Sequence, residues 1–165
     1  MQLDLREIIN IPGGRVSFSY EPDLSGLETG SVTAILPNAH AEGFIENRAG
    51  VLQLEAVLKA TVINTCARCL KEVECQESIG IHAVLIDAEE ESEDPDFFNL
   101  DGNLADVDEI VVNAFVLNVD EQFLCHAECK GLCARCGADL NEGPCQCREE
   151  IDPRLAVLGQ LLENE

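Results

Sequence analysis

Eight of the nine cysteines in this chain fall into four close pairs, and the tetrapeptide CARC occurs twice. The pairs are Cys66 and Cys69, Cys125 and Cys129, Cys133 and Cys136, and Cys145 and Cys147. Each spacing lets two thiolates converge on one ion, because CxxC fits a tight turn and residues two or four apart share one face of a strand or a helix. Zinc takes four thiolates in a closed tetrahedron when its role is structural. The cysteines therefore predict two zinc ions.

The spacing between the pairs indicates which of them share an ion. Only eight residues, GADLNEGP, separate the second CARC from the last pair, and Gly137, Asn141 and Gly143 can turn the chain within them. These two pairs are predicted to form a local site, the second cluster, which consists of Cys133, Cys136, Cys145 and Cys147. The pair that ends at Cys129 is too close to the second cluster to fold back on it, so it is predicted to join the first CARC. That first cluster consists of Cys66, Cys69, Cys125 and Cys129, with His126 as an alternative ligand.

An arginine occupies the same position inside each CARC, at Arg68 and Arg135. A site of four thiolates and one zinc ion carries a formal charge of about −2, and a guanidinium in the turn can offset part of it. The second CARC is followed by Gly137, which relieves backbone strain, whereas the first is followed by Leu70. Both copies are predicted to be the same metal-binding turn.

Other chemistry is less well supported by the sequence. An iron–sulfur cluster could use the C-x3-C-x2-C spacing that begins at Cys129, but the chain is too short for the barrel of the radical enzymes that use it. A thioredoxin-like redox centre needs a βαβ setting, which the first CARC lacks. Cys75 is predicted to be an inert buried thiol. His40 and His82, which have no neighbouring constellation of acids or nucleophiles, are predicted to be surface or satisfied strand residues rather than catalysts. No catalytic residue is nominated.

Two β-strands are predicted to position the first CARC. The even-numbered residues from Leu52 to Val62 are all apolar, and the apolar residues that follow the CARC are mostly odd-numbered. Two strands joined by a few residues form an antiparallel hairpin, which places this CARC at the hairpin tip. Shorter strands are predicted at 14–20 and 31–37, with 42–48 as a further candidate strand. Together with the hairpin they give an antiparallel sheet.

After the predicted strands, apolar residues recur at helical spacing. Residues 107–117 are predicted to form a helix capped by Asp106, and a last helix is predicted to begin after Asp152 with Pro153 in its first position. The fold class is therefore α+β, an antiparallel sheet with a few helices and a small cysteine-rich module. The predicted parts are a β domain in residues 1–86, an acidic loop and helix in 87–124, and a zinc module with a C-terminal helix in 125–165.

Charge restricts the partners of the chain. The net charge is −22, and residues 72–124 contain no Lys or Arg. Phosphate backbones are bound by clustered cations, so direct RNA binding is not expected and a basic protein is the expected partner. The densest acidic run, residues 87–96, is predicted to be a solvated loop, with a docking strip for that partner as the alternative.

No stretch of the chain matches a secretory signal or a membrane span. The expected location is therefore the cytoplasm, where reduced cysteines more often bind metal than form disulfides. No small-molecule substrate is expected.

The run C-x3-CKGLCARCGADLNEGPCQC followed by DPRLAVLGQLL, together with CARCL and the acidic segment before the helix, resembles the bacterial and plastid family of large ribosomal RNA subunit accumulation proteins, the YceD-like family. The resemblance covers most of the chain and is strongest over residues 64–75 and 104–162. It implies a non-enzymatic factor that is needed for 23S ribosomal RNA to accumulate, and hence for biogenesis of the large subunit. Such a factor would act through a basic ribosomal or ribosome-assembly protein.

Overall fold

A six-stranded sheet is the main feature of the computed structural model, which describes residues 1–27, 29–87 and 94–147. In chain order the elements are β1 (Gln2–Asp4), β2 (Arg15–Tyr20), β3 (Val32–Ile35), β4 (His40–Arg48), β5 (Val51–Thr65), β6 (Glu72–Ile86), β7 (Phe97–Asn99), β8 (Leu104–Asp106) and α1 (Val107–Asn118). The large sheet has the order β2-β4-β5-β6-β7, and β3 also pairs with β5. β1 and β8 form a separate antiparallel pair.

The long hairpin of β5 and β6 is the centre of the sheet. The two strands pair from Leu52 opposite Leu85 to Thr65 opposite Glu72. The even-numbered residues of β5 from Leu52 to Val62 are buried, because alternate side chains of a strand point to the same face. The predicted hairpin, with the first CARC at its tip, is confirmed.

One edge of the large sheet differs from the prediction. β7 runs parallel to β6, with Val84 opposite Phe97 and Ile86 opposite Asn99, so the sheet is mixed rather than purely antiparallel. β7 was not predicted, and neither were β1 and β8. Each has only three residues, which is too short to show the alternation that identifies a strand in sequence.

The predicted helix after the sheet is confirmed as α1. The Asp106 carboxylate accepts hydrogen bonds from the backbone N–H groups of Asp108, at 3.1 Å, and Glu109, at 3.4 Å, so it satisfies donors that the first helical turn leaves unpaired. α1 buries four side chains in the main core, those of Val107, Ile110, Val111 and Phe115.

The described part of the chain is thus mostly β-sheet with one helix. The helix predicted after Asp152 and most of the acidic run at residues 87–96 lie outside the described residues. No helix among those that are described is long and apolar enough to cross a membrane. The three-part division of the chain stays a prediction.

Candidate metal centres

The two CARC segments form the same backbone turn. At the tip of the β5–β6 hairpin the N–H of Leu70 donates to the carbonyl of Cys66 at 2.9 Å, and in the second copy the N–H of Gly137 donates to the carbonyl of Cys133 at 2.9 Å. Both residues that follow a CARC are left-handed, with φ of 58° at Leu70 and 71° at Gly137. The first turn therefore holds a leucine in a conformation that favours glycine.

The chain after α1 is guided to the hairpin tip by backbone contacts. The carbonyl of Asp120 accepts hydrogen bonds from the N–H and the hydroxyl of Ser31, at 3.2 and 3.0 Å. Three residues later, the carbonyl of Phe123 accepts the N–H of Ala67 at 2.9 Å. These contacts place Cys125 and then Cys129 beside the first CARC.

The four sulfurs of the first cluster lie within 4.8 Å of one another. The Cys66 Sγ is 3.8 Å from the Cys129 Sγ, and the Cys69 Sγ is 3.6 Å from the Cys125 Sγ. Three of the four cysteines are buried and Cys125 is half-buried. Leu124 and Leu132 pack against them in a small apolar cluster separate from the main core. This arrangement could hold a metal ion away from solvent.

The second cluster has the same spacing but is more exposed. Its four sulfurs also lie within 4.8 Å of one another, and the Cys133 Sγ is 3.5 Å from the Cys145 Sγ. Cys136 is exposed and the other three cysteines are half-buried. The structure thus brings the eight paired cysteines together in the two sets that the spacing predicts. All nine cysteines are free thiols.

In each cluster one thiol ionises easily while another resists ionisation. Backbone hydrogen bonds from Cys125 and Cys69 lower the pKa of Cys66 to about 5, whereas burial, followed by the hydrogen bond with the Cys69 thiol, raises the pKa of Cys125 to about 12. A first thiolate is stabilised by nearby N–H groups, but each further thiolate adds negative charge to a confined space. A cation that binds all four sulfurs would compensate the repulsion between these thiolates.

The second cluster repeats this contrast. Backbone hydrogen bonds from Cys136 and Arg135 lower the pKa of Cys133 to about 6. The hydrogen bond with the Cys136 thiol and then burial raise the pKa of Cys147 to about 12. Both groups of thiols therefore have the electrostatics expected of a site that accommodates a cation.

Three polar side chains contact the first cluster. The Arg68 guanidinium donates to the carbonyl of Cys129 at 2.8 Å, so it fixes the backbone beside a sulfur. The Nδ1 of His126 is 3.1 Å from the Cys125 Sγ, and the set of four sulfurs is complete without this imidazole. The Nδ2 of Asn141 is 3.5 Å from the Cys129 Sγ. The sequence showed Asn141 only as a turn former.

The remaining candidates lie apart from both clusters. Cys75 is half-buried against the main core and belongs to neither cluster. Both histidines lie in strands, His40 in β4 and His82 in β6. The Nε2 of His40 is 3.3 Å from the Ser19 hydroxyl at an exposed position, and His82 lies opposite Glu55 in the β5–β6 register.

Residues 54–162 match the family described as Large ribosomal RNA subunit accumulation protein YceD. The matched segment contains both CARC turns and all eight paired cysteines. The chain belongs to the YceD family. Among curated relatives, this YceD family member is 28% identical over 120 residues to a protein of Mycobacterium tuberculosis and to one of Mycobacterium bovis, both of which carry the name "Uncharacterized protein". Each of these alignments covers 70% of this chain and 58% of the relative.

A plant relative is similar at the same level. This YceD family member is 28% identical over 145 residues to the chloroplastic large ribosomal RNA subunit accumulation protein YCED homolog 1 of Arabidopsis thaliana. That alignment covers 68% of this chain and 44% of the plant protein. The chain thus spans less than two thirds of the length of these curated relatives. No solved structure gives a significant match to it.

Proposed function

We propose that both clusters are structural zinc sites, and that the first cluster fastens the hairpin tip to the cysteine-rich segment. The sulfur spacing supports this proposal. Zinc–sulfur bonds of about 2.3 Å in a tetrahedron place neighbouring sulfurs about 3.8 Å apart. The shortest sulfur contacts within the clusters are 3.5, 3.6 and 3.8 Å, and all four sulfurs of each cluster lie within 4.8 Å of one another. An iron–sulfur cluster would insert its own core between the ligands and hold their sulfurs farther apart. Four protein sulfurs fill the coordination shell of zinc, so neither site would keep a position open for a substrate.

On this basis the chain acts as a non-enzymatic cytoplasmic factor in the accumulation of large-subunit ribosomal RNA. The observation that carries this proposal is the family match over residues 54–162, which includes both clusters. Closed metal sites suit a protein whose metal maintains a binding surface rather than one that performs a reaction. The zinc would therefore hold together the parts of the chain that meet a partner.

Charge supports a protein partner rather than direct contact with RNA. In the part of the chain that the structure describes, several cationic side chains are already bound to carboxylates of the same chain. These ion pairs join Arg6 to Asp4, Arg48 to Glu46 and Glu55, Lys59 to Glu42, and Lys71 to Asp139. Because phosphate binding depends on cationic side chains that can displace counterions, a net charge of −22 favours a basic ribosomal or ribosome-assembly protein.

Metal content tests the zinc proposal directly. Purified chain should contain about two zinc ions per molecule, and Cys133→Ser should lower the content to about one, since four thiolates are needed for each closed site. Cys75→Ala is the matched control and should leave the content unchanged, because Cys75 belongs to neither cluster. Visible absorption from iron would instead favour an iron centre, because a tetrahedron of sulfurs also suits iron. Folded chain without metal would refute the proposal.

Binding experiments test the partner. The isolated protein should bind naked 23S RNA no better than a neutral control protein, and it should bind a basic ribosomal or assembly protein with an affinity that falls as salt rises. Neutralising Glu89, Glu90, Glu91, Glu93 and Asp94 to amides should slow association if the acidic run attracts the partner. An unchanged association rate would indicate that the partner contacts the sheet or the clusters instead of the acidic run. Tight, salt-sensitive binding to bare RNA would contradict the argument from charge.

A further inference from the structure

The two clusters are joined by a linker, residues 130–132, that makes hydrogen bonds on both sides. Only three residues separate Cys129 from Cys133. On one side, the N–H of Leu132 donates to the carbonyl of Arg68 in the hairpin tip at 3.1 Å. On the other, the N–H of Lys130 donates to the Asn141 Oδ1 at 2.8 Å. Asn141 lies in the second-cluster loop, residues 137–144, which connects the two cysteine pairs of that cluster.

Asn141 also reaches a sulfur of the first cluster. Its Nδ2 lies 3.5 Å from the Cys129 Sγ and 2.8 Å from the Asp139 Oδ1, which also accepts the Asn141 N–H at 2.8 Å. The other oxygen of Asp139 is 2.6 Å from the Nζ of Lys71 in the hairpin tip, and the Asp139 side chain is only 13% exposed. A residue of the second-cluster loop is thus held in place to donate to a ligand of the first cluster.

We infer that Asn141 is a positioning residue that couples the two metal sites. Metal in the second cluster fixes both ends of residues 137–144, the fixed loop holds the Asn141 amide, and the amide N–H orients the Cys129 thiolate and draws off part of its charge. Hydrogen-bond partners of metal ligands typically contribute about 10- to 100-fold to metal affinity. Because coupling between two binding sites is reciprocal, metal in the first cluster strengthens binding in the second by the same factor.

This inference rests on the proposed zinc function and is tested by titrating the full chain with Zn²⁺ against a chromophoric chelator. Asn141→Asp keeps the acceptor for the Lys130 N–H and the preference for turns, but it places an oxygen where the donor to Cys129 and Asp139 was. Asn103→Asp adds the same charge at an exposed position on another loop and is the matched control. The expected result for Asn141→Asp is a loss of about 10- to 100-fold in affinity at the first cluster, with the control unchanged.

Substituting Co²⁺ provides a second readout. The thiolate-to-cobalt charge-transfer absorption of the first cluster should shift in Asn141→Asp and not in Asn103→Asp, because the hydrogen bond to Cys129 alters the donor strength of that sulfur. A role for Asn141 that is limited to forming the turn would leave this absorption unchanged.

A double-mutant cycle tests the coupling itself. Cys133→Ser disables the second cluster, so it should weaken the first cluster, and Asn141→Asp should then cause little further loss. The inference is wrong if Asn141→Asp binds metal like the wild type, or if its effect persists in full when the second cluster is disabled. Either result, obtained with two zinc ions in the wild-type chain, would leave the proposed function standing. A wild-type chain that binds no metal would overturn both.

Discussion

Gly131 lies against Arg68 of the hairpin tip, and we predict that Gly131→Ala destabilises the chain through that contact. Gly131 has a φ of 74°, and a Cβ built on it would lie 2.8 Å from the carbonyl oxygen of Arg68. A left-handed alanine costs about 1 kcal/mol more than glycine. Relief of the clash also moves the linker away from Arg68, which sacrifices the Leu132 hydrogen bond, worth about 1 kcal/mol. The expected loss of unfolding free energy is about 2 kcal/mol.

Gly26→Ala separates the cost of the left-handed conformation from the cost of the clash with Arg68. Gly26 has a φ of 82°, and a Cβ there would meet nothing within 4 Å, so this variant should lose only about 1 kcal/mol. Denaturant unfolding of both variants at one buffered concentration of free zinc gives the comparison, since bound metal contributes to apparent stability. The additional loss of about 1 kcal/mol of unfolding free energy in Gly131→Ala should also weaken zinc binding in the first cluster by roughly fivefold. Equal losses in the two variants would refute the claim that the linker must approach the hairpin tip closely.

The remaining predictions concern the backbone conformation of Leu70 and the buried hydroxyl of Tyr20. Leu70→Gly should raise the thermal midpoint by an amount that corresponds to about 1 kcal/mol, because Leu70 is left-handed and 63% exposed and glycine removes the strain; a lower midpoint would show that the leucine side chain stabilises the tip. Burial, and then the Asp106 carboxylate, raise the pKa of Tyr20 to about 12, above the value of about 10 expected in the unfolded chain. The contribution of Tyr20 to stability should therefore be constant well below pH 10 and should fall as the pH rises from about 10 towards 12, since the unfolded chain ionises first. Tyr20 is the only tyrosine and there is no tryptophan, so phenolate absorbance measures this titration directly, and a midpoint near 10 in the folded chain would contradict it. Tyr20→Phe should keep its stability at neutral pH, because the buried hydroxyl finds no hydrogen-bond partner within the described residues.

The fold was predictable where a pattern extended over many residues. β5 and β6 have fifteen residues each, and the alternation along them identified the hairpin, its buried face and the position of the first CARC. Asp106 identified the start of α1 because a carboxylate before an apolar helical repeat is a recognised cap. The three-residue strands escaped prediction because their pairing depends on neighbours that are distant in the chain.

The candidate metal sites were likewise predictable only in part. The eight cysteines and the local closure of the second cluster follow from residue type and spacing. For the first cluster the spacing excluded only one pairing, and it left His126 as an alternative ligand. Asn141 gave no sign of its contact with Cys129, because asparagine is equally common in turns that touch no metal ligand.

The sequence by itself therefore determined which residues can bind metal and which strand pair carries the first two of them. The tertiary structure shows how Cys125 and Cys129 reach that hairpin, and it alone decided that the loop of one cluster touches a ligand of the other. The physical reason is that the chain meets the hairpin tip largely through backbone groups, at Phe123 with Ala67 and at Leu132 with Arg68, and the side chain of Asn141 reaches Cys129 only once that path is set. Nearly every residue carries the same N–H and carbonyl groups, so such contacts have no signature in residue type and are fixed only by how the whole chain packs.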